Sequence, residues 1–402
     1  MKPTAVLLLL ILAAGGALLL GARRPKCPPA DFAPATPAVD LIALRQSIRL
    51  PTSADAQKGA IATLRRHAWS LFQAVIAQPS TCEAPVWRRW PDKAETLAAD
   101  RARPPQAVLR LAIPPEMTLA PNAAALKDAT ATPSTFEAVN FNPIAYRHVR
   151  ERRLYDPAVA QRLVAAGVRD IPEFPAGSVV VKTFWRVVPA QGITPLGLWD
   201  WSNVHCDPHD CPAAPESGWA RHVCVYQSSP PQPDPACPLV DAGQFYSILV
   251  ADPSEYRCMG CELKLSPGDR LILIGMHIAT KETPDWLWGT FWWRGLDRTD
   301  GDAWNNDNAQ RPATLSGFWK NYSMDTTLSL FNRSRAGGPN AAMFNPYIEG
   351  ATAGTGVNCV SCHDQATAGG SAFIGLDISA ASLEGKLRTD FLWSLASHLR
   401  GK

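Results

Sequence analysis

One short run near the C-terminus constrains this chain more than any other stretch: Asn358-Cys359-Val360-Ser361-Cys362-His363. Two thiols three positions apart, followed at once by an imidazole, form the attachment signature of a c-type haem. Each sulfur adds to a vinyl group and the histidine reaches the iron. The chain has ten cysteines and eight histidines in 402 residues, so chance would produce the pattern only about 0.005 times. The alternatives are a disulfide or half of a zinc site. Cys359 and Cys362 are read as the thioether anchors of one covalent haem c, and His363 as the proximal ligand of its iron.

The N-terminus points to the same compartment. Met1-Lys2-Pro3-Thr4 precedes an apolar run from Ala5 to Ala22, a positive start and a hydrophobic stretch that read as an export signal. Arg23, Arg24 and Lys26 follow without a clean small-x-small site. Residues 1–24 are therefore expected to be either a cleaved signal or a retained anchor in the cytoplasmic membrane, with the folded part periplasmic. Charged residues disfavour lipidation at Cys27. Haem c is attached on the outer side of that membrane, so the two readings agree. The other cysteines, Cys27, Cys82, Cys206, Cys211, Cys224, Cys237, Cys258 and Cys261, are expected to form disulfides there. A net charge of +3, with no basic run, argues against nucleic acid as a partner.

Thirty-six prolines and 27 glycines favour short strands over long helices. Residues 25–38 read as a Pro- and Ala-rich linker. Residues 39–133 read as a helical N-terminal region, with Ile61, Leu64, Ala68, Leu71, Phe72 and Ile76 at helical spacing and a proline-rich passage at 104–133. Residues 134–402 are expected to form a β-rich haem c domain. Within it, 191–242 reads as a Cys-rich, disulfide-stapled insertion without sustained periodicity. His205, Cys206, His209, Cys211, His222 and Cys224 are an alternative zinc set there. Cys258-Met259-Gly260-Cys261 is followed by Glu262, so it lacks the histidine a second haem would need.

A strand at 178–188 alternates Val180, Lys182, Phe184 and Arg186 against Val179, Val181, Thr183 and Trp185, which places Lys182 among apolar neighbours. Strands are also expected at 271–279 and 287–293. The second is apolar on both faces, through Trp286, Trp288 and Trp292 and through Leu287, Phe291 and Trp293, so it should lie between two layers, one of them a porphyrin or an aromatic core. Leu383, Leu387, Phe391, Leu395 and Leu399 suggest a final amphipathic helix beneath the haem attachment.

Three stretches in this order, Phe174-Pro-Ala-Gly-Ser-Val-Val-Val-Lys182, Cys359-Val-Ser-Cys362-His363 and Thr389-Asp390-Phe391, resemble the P-460 class of c-type cytochromes and the β-sheet cytochromes c-prime. The resemblance covers about Asn140 to the end, interrupted by the insertion. It implies an α+β fold, an antiparallel sheet with packed helices and a C-terminal haem site, and often a homodimer. It also singles out Lys182: the matching lysine is bonded to the porphyrin in hydroxylamine-oxidising members and not in gas-binding relatives.

Three functions compete. A periplasmic electron carrier, serving a redox partner protein, needs a sixth iron ligand from Met276, His277, Met324, Met343 or His398. An open-site haem protein would bind or oxidise a small nitrogen species such as hydroxylamine or nitric oxide. Oxidation needs a pocket carboxylate, and Glu262, Glu282 and Asp285 do not align with one. The third is a non-enzymatic exported protein with structural haem or zinc.

Overall fold

Stretches rich in β-branched and aromatic residues pair into the central sheet of the molecule, a computed structural model in which residues 41, 43, 44, 47, 53–78, 84–99, 109–119, 135–199, 216–228, 230, 232, 234–295, 310–328, 343–350, 358–368 and 385–399 are described. The strands are β1 (Leu109–Leu111), β2 (Phe136–Phe141), β3 (Val179–Val188), β4 (Thr194–Leu198), β5 (Arg221–Tyr226), β6 (Leu239–Asp241), β7 (Ser247–Leu249), β8 (Tyr256–Cys258), β9 (Arg270–Thr280), β10 (Leu287–Trp293), β11 (Tyr322–Thr327), β12 (Thr367–Ala368) and β13 (Leu387–Arg388). The helices are α1 (Ala54–Ile76), α2 (Lys93–Leu97), α3 (Pro115–Leu119), α4 (Pro143–Glu151), α5 (Pro157–Ala165), α6 (Cys359–His363) and α7 (Trp393–His398). The chain is thus α+β, and its main sheet has six strands in the order β11-β10-β9-β3-β2, with β7 also on β9. Every pairing in it is antiparallel.

Register decides what the sheet presents. Lys182 on β3 lies opposite Val139 on β2 and His277 on β9, and cross-strand partners share a face. That face therefore also carries Glu137, Val180, Ala279 and Trp288. The opposite face carries Val181, Met276 and Phe291 and is covered by α1. Ser53 caps α1 by accepting from Ala56 N at 3.1 Å, and helical spacing brings Trp69 and Phe72 onto Phe291. The Phe72 and Phe291 rings stack at 4.2 Å. Strand β10 is buried along its whole length because α1 lies on one side and the C-terminal segments on the other.

The site face is roofed by Ala145 and Val149 of α4 and by Val360, Leu392 and Leu395. Asn142 starts α4: its Oδ1 accepts from Ala145 N at 2.9 Å and from Val179 N at 3.0 Å. One side chain thereby ends β2, caps a helix and pins the start of β3.

Two expectations are corrected. The stretch 191–242, read as a disulfide-stapled loop without periodicity, contains strands β4, β5 and β6 in a sheet of their own, and the Cys224–Cys237 disulfide staples it. The final helix is only α7, because Leu387 belongs to β13 and because Asp390 and Phe391 take left-handed φ values of 46° and 68°, which no helix admits. Cys258 and Cys261 form a second disulfide. Residues 1–38, the remaining cysteines of the expected disulfide set (Cys27, Cys82, Cys206 and Cys211), and His205 and His209 lie outside the described residues. Among the described residues no helix is long and apolar enough to cross a membrane.

Candidate functional site

Helix α6 consists of the motif itself. Asn358 caps it, its Oδ1 accepting from Val360 N at 2.9 Å, so the one turn that follows sets Cys362 and His363 against the sheet. Cys359 and Cys362 are free thiols, unlike the two disulfide pairs. Burial pushes both well above the ordinary thiol value, which keeps them protonated.

His363 donates from Nδ1 to the carbonyl oxygen of Phe391 at 2.6 Å. This bond fixes the tautomer and leaves Nε2 with its lone pair. Burial lowers the imidazole to about 4, so it stays neutral, as a metal ligand must. The Trp288 ring lies 4.2 Å from the His363 ring, inclined at 45°. The accepting carbonyl is held in turn: Asp390 Oδ1 accepts from Lys281 Nζ at 2.7 Å, and Oδ2 from Phe174 N at 2.8 Å. The stretches on which the family resemblance rests, Phe174 to Lys182, the cysteine motif and Thr389-Asp390-Phe391, therefore meet in space.

Cys362 and His363 open onto a cavity with about 950 Å³ of empty space, part of it continuous with solvent. Its apolar wall comes from Val139, Val180, Ala279, Trp288 and Leu392, and its polar groups are Lys93, Glu116, Glu137, Lys182, His277, Ser394 and Ser397. Lys182 is not among apolar neighbours alone, which corrects the expectation from alternation. Its Nζ lies 2.7 Å from Glu116 Oε1 on α3 and 2.8 Å from Glu137 Oε2 on the adjacent strand β2. Burial alone would lower Lys182, yet the two carboxylates outweigh it and raise it above its ordinary value. Burial raises Glu137. Burial pushes Glu116 up too, but the Lys182 ammonium more than reverses this and holds it below its ordinary value.

His277 meets the edge of the Phe184 ring at 4.9 Å, and burial, with Lys182 nearby, lowers it well below the ordinary histidine value. Of the five candidate sixth ligands, His277 alone lines the cavity. Met276 and Met324 belong to the core on the α1 face, and Met343 is packed in the site-face core. His398 donates to Tyr155 O at 2.7 Å. The three carboxylates considered from sequence lie elsewhere: Glu262 faces solvent beside Lys264, Glu282 binds His67 at 3.0 Å, and Asp285 lines a separate acidic cleft. Glu116 and Glu137 were not legible as site residues, since nothing in the sequence brings Pro115-Glu116 to Lys182.

The residues fit a covalently held haem: two free thiols, a neutral imidazole with one nitrogen engaged and the other available, and a largely apolar cavity lined by Cys362 and His363. Zinc finds less support here. His222 donates to Glu216 O at 3.2 Å, Cys224 is in a disulfide, and among the described residues no group of three or more His, Cys, Asp or Glu is arranged to hold a metal ion. Comparison with protein-family models, with curated proteins and with solved structures gave no match.

Proposed function

We propose that this chain is an exported c-type haem protein of the periplasm, with one haem held by Cys359 and Cys362 and His363 as the proximal ligand. The single observation that carries the reading is the bond from His363 Nδ1 to Phe391 O, on an imidazole that lines one cavity together with Cys362. Bound there, the haem iron would supply one-electron chemistry and a far-side position for a small ligand.

Two uses follow from this reading. Electron transfer to a redox partner needs a filled sixth position, and His277 is the one candidate of the five on the cavity wall. Reaction with a small nitrogen species, such as hydroxylamine or nitric oxide, needs an open position and a group that accepts protons. The buried Lys182 with its two carboxylates favours this second use. Glu116 lines the cavity and its Oε2 is buried without a hydrogen-bond partner, so it is placed to accept a substrate proton.

A ferrous optical spectrum of the purified exported protein, recorded with and without carbon monoxide, tests these uses. A high-spin spectrum that shifts with the gas supports the open site. A sharp low-spin spectrum unmoved by the gas supports the carrier, and a protein without haem ends both.

A further inference from the structure

The cavity holds two lysines in opposite circumstances. Lys182 is neutralised by two carboxylates within 2.8 Å. Lys93, the first residue of α2, lines the same cavity and has no ion-pair partner among the described residues. Its Nζ donates only to Ser397 Oγ, at 3.4 Å. The Ser397 hydroxyl hydrogen is itself committed to Ser394 O at 3.1 Å, so the serine presents an acceptor to Lys93. An ammonium carries three N–H donors, and among the described residues two of those on Lys93 have no partner.

We propose that Lys93 is the cation of an anion subsite in this cavity, and that it binds a carboxylate or small oxyanion. The proposal rests on the haem reading above. Two sources share this chemistry: a propionate of the bound porphyrin and a diffusible oxyanion that enters the cavity. Lys93 is half-buried, and an ammonium partly removed from water gains from a counter-charge. Burial lowers Lys93 while Glu137 and Glu116 offset this only at longer range, so no described residue supplies that charge by direct contact. The neighbouring wall is apolar, through Pro115, Leu392 and Trp393, and in such surroundings a charge-assisted contact is strong. Lys182 and its carboxylates add no net positive charge that would serve instead.

The test compares wild type with Lys93→Met, which keeps the stem and removes the charge, and Lys93→Arg, which restores the charge. Haem content is measured first by pyridine haemochrome. A wild type without haem sinks the functional reading and the proposal together, whereas haem in all three proteins isolates the proposal. The haem midpoint potential is then followed from about pH 5 to pH 9. An opposite charge at contact moves a carboxyl by about one to three pH units. If a propionate is the ligand, the pH-dependent step therefore rises by at least about one unit in Lys93→Met and returns in Lys93→Arg. If the ligand is diffusible, formate perturbs the wild-type Soret band with a dissociation constant at least roughly tenfold tighter than in Lys93→Met, and the step stays in place. A step and a formate affinity that are both the same in wild type and Lys93→Met overturn the proposal.

Discussion

His363 and Phe391 are joined by a 2.6 Å hydrogen bond from the imidazole Nδ1 to the backbone carbonyl, and the left-handed turn that presents this carbonyl is tied to the sheet by a buried ion pair. Asp390, just before Phe391, binds Lys281 at 2.7 Å, and their side chains keep only 9% and 4% of their surface exposed. The orientation of the proposed iron ligand thus depends on a lysine at the end of β9.

Asp390→Asn keeps the shape and removes the charge. Lys281 would retain Glu173 at 2.9 Å, but that side chain is 63% exposed and cannot replace a buried partner. Breaking one side of a buried pair costs about 3–5 kcal/mol. Because Asn preserves some hydrogen bonding, a loss of about 3 kcal/mol is expected in urea denaturation. A change below about 0.5 kcal/mol would show that the pair does not hold this turn.

Glu349 gives a pH dependence of definite sign. Its Oε2 accepts from Asn345 N at 2.7 Å, yet burial pushes its carboxyl up to about 7. A raised folded pKa stabilises the fold at pH values below the unfolded value near 4.5, and that stability is lost as pH rises through about 7. With 18% of the side chain exposed, the full shift is discounted to a loss of about 2 kcal/mol across this window. Glu349→Gln should remove this contribution, so that the loss of stability across the window is smaller than in wild type by about 2 kcal/mol, as read from denaturation midpoints; a slope equal to wild type would assign it to other groups.

Phe72→Ala tests whether α1 and the sheet fold as one unit. Phe72 is fully buried and stacked on Phe291, so removal of the ring should cost about 3–5 kcal/mol. Calorimetry should record one transition at lower temperature. Two transitions, with only one of them moved, would contradict a shared core.

The strands around Lys182 and His277 were legible because their β-branched and aromatic residues alternate, and the cysteine motif was legible because its chemistry dictates its spacing. Strands β2 and β11 were not, since Asn140, Ser323 and Asp325 interrupt any apolar pattern and are tolerated only through pairing with β3 and β10. The final helix was over-extended for the opposite reason: four-residue spacing from Leu387 to Leu399 persists through a turn whose backbone is left-handed at Asp390 and Phe391. The carboxylates on Lys182 escaped notice because Glu116 is 66 residues away in sequence, and contacts of that range are set by topology, not by local pattern. Asp390 was read as part of a motif, while its role as the partner of Lys281 emerged only from the fold.

The most direct test of the account is peptide mass spectrometry, without prior reduction, of the protein co-expressed with a haem c attachment system. The account predicts that the peptide containing residues 358–363 carries one haem through thioethers at both Cys359 and Cys362, and that neither thiol reacts with an alkylating reagent. Recovery of that peptide without haem, with both cysteines alkylated or joined to each other in a disulfide, would contradict it.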